Sequence, residues 1–428
     1  MRNAASLSSL PDDVKTRIAS HLHEPFNPRV YEPYQSSLKD LALVNREWLK
    51  ICTPFAAEHF TITPATVQAR VESWTPPERE SGSEAEETED RLWPRPMPGP
   101  HTRSLAITLD SKLTEPAAQA MFEVLFACGR DLEMLVLTLS GSKYLEEEVT
   151  MPFTDALRDI LDLETLEIRY NTENPNHVQI ARIVLYYTCW PLVAMGNLRN
   201  LIILDKPAKR NPGTRGGFLV EDLARWITAC SSIESFHTDL YLSASFQQLQ
   251  WPNLKSFTHH PFRYEKDNSN LSTFFFNHQD SLVSLDLSHH SFEPLVDRIL
   301  LADLDGGPFL TLSRLRHLHI GTNNRSFELF YRFFPDSCPV ETLHINDDEN
   351  LDGWGSGSQG GGIKDLTPLV RFVQRQQPYR LVRIQVKVLA AANAGAGGGG
   401  GVAQSQSVGV NELQTECANR GTVLILRA

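Results

Sequence analysis

Apolar residues recur along most of this chain in one short figure. An apolar residue is followed by two of any kind, a second apolar residue, one of any kind, and a third apolar residue. Clear copies are Leu132/Leu135/Leu137, Leu163/Leu166/Ile168, Leu198/Leu201/Ile203 and Leu282/Leu285/Leu287. Leu315/Leu318/Ile320, Val340/Leu343/Ile345 and Leu381/Ile384/Val386 continue the series. Weaker copies sit at Leu105/Ile107, Ile233/Phe236, Leu254/Phe257 and Leu424/Leu426. The last two positions of each figure are two residues apart, so they share one face of a short strand. Copies return at irregular intervals of roughly 20 to 40 residues. Between them lie stretches with helical periodicity, such as Phe218–Cys230, Ser326–Phe334 and Lys364–Gln376. A further helix is expected around Glu412–Ala418, before a last strand in TVLILRA. The predicted unit is strand, loop, helix, loop. One such unit cannot bury its ladder alone. Stacked units place the strands in a parallel sheet with helices outside, a curved α/β solenoid.

The first 55 residues follow a different period. Leu10-Pro11-Asp12-Asp13 suits the start of a helix, since proline fits the first turn and carboxylates meet the positive end of the helix dipole. Val14, Ile18 and Leu22 then recur every four residues on one helix face. Leu38, Leu41, Val44, Trp48 and Ile51 form a second helical set. Between them, Pro25, Pro28 and Pro33 require the first helix to end near Leu22. Two or three short helices cannot cover both their own sides, so some apolar surface must meet another domain or another protein.

Composition sharpens the boundaries. Residues 1–63 form the small all-α domain, and 102–428 the repeat array. The stretch 64–101 between them contains PPERESGSEAEETEDRLWPRPMPGP, rich in Glu, Ser and Pro, and predicts an acidic linker without a fold of its own. Segments 206–217, 347–362 and 390–406 are Pro/Gly-, Gly- or Ala/Gly-rich and predict flexible insertions. The 428 residues carry a formal net charge of −12, which disfavours nucleic acid and anionic membranes as partners. The apolar run Ile183–Met195 is too short to span a bilayer, and no charged-then-apolar leader opens the chain. Six scattered cysteines form neither a disulfide framework nor a zinc pattern. A reducing cytoplasmic or nuclear compartment is expected, with no cofactor and no metal.

Catalytic chemistry has no motif to stand on. Gly355, Gly357 and Gly360 match the letters of a dinucleotide fingerprint, but the acidic run Asp347, Asp348, Glu349 and Asp352 before them opposes phosphate. Gly-x-Ser-x-Gly and His-Glu-x-x-His are both missing. No catalytic residue is proposed. A more informative set appears when the figures are aligned. The residues flanking the later apolar positions point away from the core, and in the later copies they include His237, Asp239, His260, Asp286, His317, His319 and His344. The plain reading is a polar, solvated sheet face. The sharper one is a contiguous patch that recognises a target, with histidines that make binding sensitive to pH. Earlier copies carry Met134, Val136, Ile202 and Leu204 at the matching positions, so that end of the face is expected to be more apolar or covered by a loop.

The N-terminal stretch resembles an F-box. The residues that carry the likeness are Leu10-Pro11, Asp13, Ile18, Leu22, then Leu41-Ala42-Leu43-Val44-Asn45-Arg46-Glu47-Trp48. Asp13 stands where the family usually has Glu, and the spacer His23–Ser37 is longer than usual. The repeats resemble divergent leucine-rich repeats of the kind that follow F-boxes, without the consensus Asn after the ladder. The resemblance implies a non-catalytic substrate receptor of an SCF-type ubiquitin ligase. Leu10, Pro11, Ile18, Leu22, Leu41, Val44 and Trp48 then form the set that meets a Skp-family adaptor, and through it a cullin, or stabilises the small domain. The repeats hold an unknown target protein. The alternatives are a repeat scaffold with no ligase role, whose first helices only cap the array, and an enzyme whose site leaves no mark in sequence.

Overall fold

A computed structural model describes residues 10–22, 41, 44, 46–56, 58–67, 102–110, 113–129, 131–140, 160, 163–171, 173–189, 197–205, 230–240, 250–260, 269–287, 312–322, 339–347, 365–376, 379–387 and 409–427. The acidic segment 76–100, the three expected insertions and the expected helices at 218–230 and 326–334 lie outside the described residues, apart from single residues at their ends. Twelve described strands run parallel, in the order of the chain. The chain divides into two compact units, residues 1–202 with 206–210, and 203–205 with 211–428.

Among the described residues, the first unit opens with two helices, α1 (Asp12–Leu22) and α2 (Arg46–Ala56). Pro11 starts α1 as its sequence suggests: its carbonyl accepts from the Val14 and Lys15 amides at 3.0 Å each. Ala19, Trp48 and Cys52 are fully buried between the helices, with Ile18, Leu41, Ile51 and Phe55 packed around them. Lys15 lies buried beside this core, its ammonium bonded to Glu47 of α2 and 3.5 Å from Asp12 of α1. The hydrogen bond to Glu47 raises the Lys15 pKa against the opposing pull of burial.

Strands β1 (His59–Ile62), β2 (Ser104–Leu109), β3 (Met134–Leu139) and β4 (Thr165–Tyr170) follow. β1 pairs in parallel with β2, so the strand that leaves the helical pair already belongs to the ladder. Between β2 and β3 runs helix α3 (Glu115–Cys128), capped by Thr114 Oγ1, which accepts from the Ala117 amide at 3.4 Å. Helix α4 (Pro175–Cys189) follows β4, and β5 (Asn200–Asp205) falls at the division between units.

The second unit holds β6 (Ser235–Thr238), β7 (Ser256–His259), helix α5 (Ser269–His278), β8 (Ser284–Leu287), β9 (His317–Thr322) and β10 (Thr342–Asp347). Helix α6 (Thr367–Arg375), β11 (Arg383–Lys387), helix α7 (Val410–Asn419) and β12 (Val423–Arg427) complete it. Phe236, Trp251, Phe257, Phe274 and Phe275 form an aromatic core between strands and α5, with the Phe257 and Phe274 rings 4.7 Å apart. α7 starts at Gly409, whose φ of 82° lies in the left-handed region that favours glycine, and where an added Cβ would sit 3.1 Å from the Thr367 backbone nitrogen.

One device repeats in both units. The carbonyl of the residue before a strand accepts from two successive amides at the start of the next strand. Glu58 serves Arg103 and Ser104, Arg103 serves Glu133 and Met134, and Glu133 serves Glu164 and Thr165. In the second unit Glu234, Lys255, Val283, Arg316 and Glu341 do the same. The ladder leucines and isoleucines of every clear copy are buried, as the apolar figure predicts.

Candidate functional site

The sheet face opposite the helices in the second unit carries the candidate site. Two rows of side chains cross it in register. One row is Ser235, Ser256, Ser284, His317, Thr342 and Arg383; the other is His237, Thr258, Asp286, His319, His344 and Gln385. These residues face away from the core because Phe236, Phe257, Leu285, Leu318, Leu343 and Ile384 alternate with them and are buried.

Contacts join most of the second row into one line. The His237 ring meets His260 edge to face at 5.5 Å. His260 Nε2 donates to Asp286 Oδ1 at 2.8 Å, and His319 Nδ1 lies 3.1 Å from Asp286 Oδ2. The His319 ring stacks on His344 at 3.9 Å and 8°. The Gln385 amide in turn donates to His344 Nε2 at 2.6 Å. Next to this line, His317 Nδ1 and the Thr342 hydroxyl lie 2.8 Å apart. Asp286 is half-buried, and burial alone raises a carboxyl pKa. The bonds from His260 and His319 overturn that and hold Asp286 well below the usual carboxylate range.

The sequence-predicted patch is therefore brought together in part. His237, His260, Asp286, His319 and His344 form the line, and His317 stands beside it. Asp239 does something else: its Oδ1 accepts from the Asp205 amide at 2.6 Å, so it ties the end of β5 to the residue after β6. Gln385, Thr342 and Arg383 belong to the face and were not singled out from sequence. Gln385 sits between Ile384 and Val386, so extending the aligned figure by one copy identifies it.

Two further histidines lie behind the face, in the core. His259 is fully buried, with Nε2 on the Leu240 carbonyl at 2.8 Å, and burial pushes its pKa down to about 3. His278 bonds the Phe274 carbonyl through Nδ1 at 2.7 Å and accepts the Trp251 amide at Nε2 at 2.9 Å. Burial lowers its pKa too. Both rings are neutral structural pieces.

The expected adaptor set separates by depth. Trp48 is fully buried and is core of the helical pair. Ile18 and Leu41 lie half-buried on that core, and Leu10 is half-buried before α1. Pro11 is exposed, and Val44 is 51% exposed. Leu22 ends α1, and its side chain lies outside the described residues.

Among the described residues, no group of three or more His, Cys, Asp or Glu is disposed to hold a metal ion. No described helix is long and apolar enough to cross a membrane. No protein family matches the sequence, and no curated protein does either.

Proposed function

We propose that this protein is the substrate-recognition subunit of an SCF-type ubiquitin ligase, as the F-box resemblance implies. The observation that carries the proposal is the pair α1 and α2. α1 follows Leu10-Pro11, α2 begins at Arg46 within the second half of the Leu-Pro…Leu-x-x-Val-x-x-x-Trp pattern, and the two pack on each other around Trp48. That leaves Pro11 and Val44 outward, with Ile18 and Leu41 on the shoulder of the core, as a surface for a Skp-family adaptor. The repeat face supplies the target-binding surface. The protein contributes proximity and specificity, and its partners contribute the covalent chemistry.

The test is co-purification with a Skp-family adaptor. Replacing Leu10-Pro11 by Ala-Ala should abolish capture and leave the far-ultraviolet circular dichroism of the chain unchanged. Val44→Asp should do the same without touching the Trp48 core. Undiminished adaptor capture by both variants, or none by the parent chain, returns the protein to a repeat scaffold without a ligase role.

A further inference from the structure

Building on the reading of the repeat face as target-binding, we infer that the face of β6 to β11 binds a carboxylate-rich peptide segment of its partner. The argument starts from charge. In a chain of net charge −12, the two face rows of these six strands contain one carboxylate, Asp286. Both of its oxygens lie against imidazoles, at 2.8 Å and 3.1 Å, so its charge is turned inward to His260 and His319. The charged and titratable groups that face this site are His237 on β6, His260 just beyond β7, Asp286 on β8, His317 and His319 on β9, His344 on β10 and Arg383 on β11. Asp239, beyond the end of β6, is engaged with the Asp205 amide. The other members of the rows are hydroxyls, Ser235, Ser256, Thr258, Ser284 and Thr342, and the amide of Gln385, which is buried and bonded to His344 rather than offered outward. Every group offered outward on the rows can donate a hydrogen bond. His317 and Arg383, the most exposed of these, are basic.

The chemistry of the donors chooses among anions. Phosphate recognition favours clusters of Arg with bidentate geometry. This face has a single Arg. Imidazole and hydroxyl donors spread over six strands fit carboxylates spaced along a chain. Six strands about 4.8 Å apart extend over about 24 Å, the reach of about seven extended residues. A short acidic segment laid across the strands meets the whole line.

The experiment is fluorescence polarisation with the full chain and three labelled eight-residue probes: alternating Glu and Ser, alternating Gln and Ser, and the Gln/Ser peptide with phosphoserine at each serine. The Glu/Ser probe should bind at least tenfold tighter than the other two. Arg383→Glu and His317→Glu, each with unchanged thermal melting, should weaken it at least tenfold. If either misfolds, Arg383→Gln and His317→Gln should give at least a threefold loss. Equal binding of the Glu and Gln probes, tighter binding of the phosphoserine probe, no binding of any, or indifference to every variant overturns the inference. Adaptor co-purification from the same preparation separates the two readings. Capture of adaptor without probe binding sinks only the acidic-segment inference, and probe binding without adaptor sinks only the ligase role.

Discussion

Strands β2 to β4 and strands β6 to β8 are built on one backbone plan and differ in the side chain between the two ladder positions. In β2 to β4 that residue is Ala106, Val136 or Glu167, and all three are at most 4% exposed. In β6 to β8 it is His237, Thr258 or Asp286, and each is half-exposed. The core side is the same in both: Leu105, Leu135 and Leu166 in one, Phe236, Phe257 and Leu285 in the other, are all buried. The shared carbonyl before each strand is the same as well. The hydrogen-bonded frame thus places no demand on the outward residue. That residue records whether the face is sealed or left to meet water and partners. Even the charged member of the sealed set follows this logic, since Glu167 is held by Arg169 within its own strand.

The comparison breaks most sharply under a charge placed at matched positions. Val136→Asp should lower unfolding free energy by about 4 kcal/mol, as an unpaired carboxylate is forced into a closed site. Thr258→Asp should cost less than about 1 kcal/mol. Urea denaturation of both variants checks this, and equal losses would end the distinction.

The next largest effect is in acid. His259 and His278 are neutral when folded and take up protons when unfolded. The contribution of His259 is therefore whole above the unfolded value of about 6.5 and is lost as pH falls from there toward about 3, and that of His278, whose pKa is also lowered by burial, is lost in the same direction. His259 should remove about 1.4 kcal/mol of stability per pH unit within that window. Urea midpoints from pH 7 to pH 4 should fall, and His259→Gln should show a shallower fall. A flat parent profile contradicts the burial of both rings.

Asp286 gives a smaller, local signal of opposite origin. Its folded pKa is depressed, so its contribution is present above the ordinary carboxylate range and is lost only as pH drops through the lower folded value. Carbon-13 spectra of the side-chain carboxyl should show it ionised at pH 3.5. In a double variant, His260→Ala with His319→Ala, it should protonate at higher pH. An ordinary titration in the parent chain removes the basis for treating this face as one connected line. The smallest expected effect is Val44→Asp, which should change stability by less than about 0.5 kcal/mol, since its side chain is half in water.

Much of this architecture is legible in the sequence. Pairs such as Leu166 and Ile168, or Leu343 and Ile345, need two same-side neighbours at a spacing of two, and that spacing alone puts them in a strand core. The alternation also placed His237, Asp286, His319 and His344 on the outer face. What it could not tell was depth. Trp48 fits its helical period equally as core or as a docking residue, and only packing against Ala19 and Cys52 decides. His259 and His260 are adjacent, yet one is sealed and one lines the face, because strand register sets which side each takes. The burial of Val136 was expected only as one of two options, since the alternation of a strand marks its outer side but not whether that side is sealed.

The carbonyl that serves two amides has one further consequence. It fixes where a strand begins by a single peptide group and is indifferent to how many residues were spent since the last one. Register steps accordingly range from 21 residues, Ser235 to Ser256, to 45, His59 to Ser104, without disturbing the pairing. Such a clasp lets excursions lengthen or shrink between rungs while the rungs stay aligned, so new loops can be tried over evolutionary time at little structural risk.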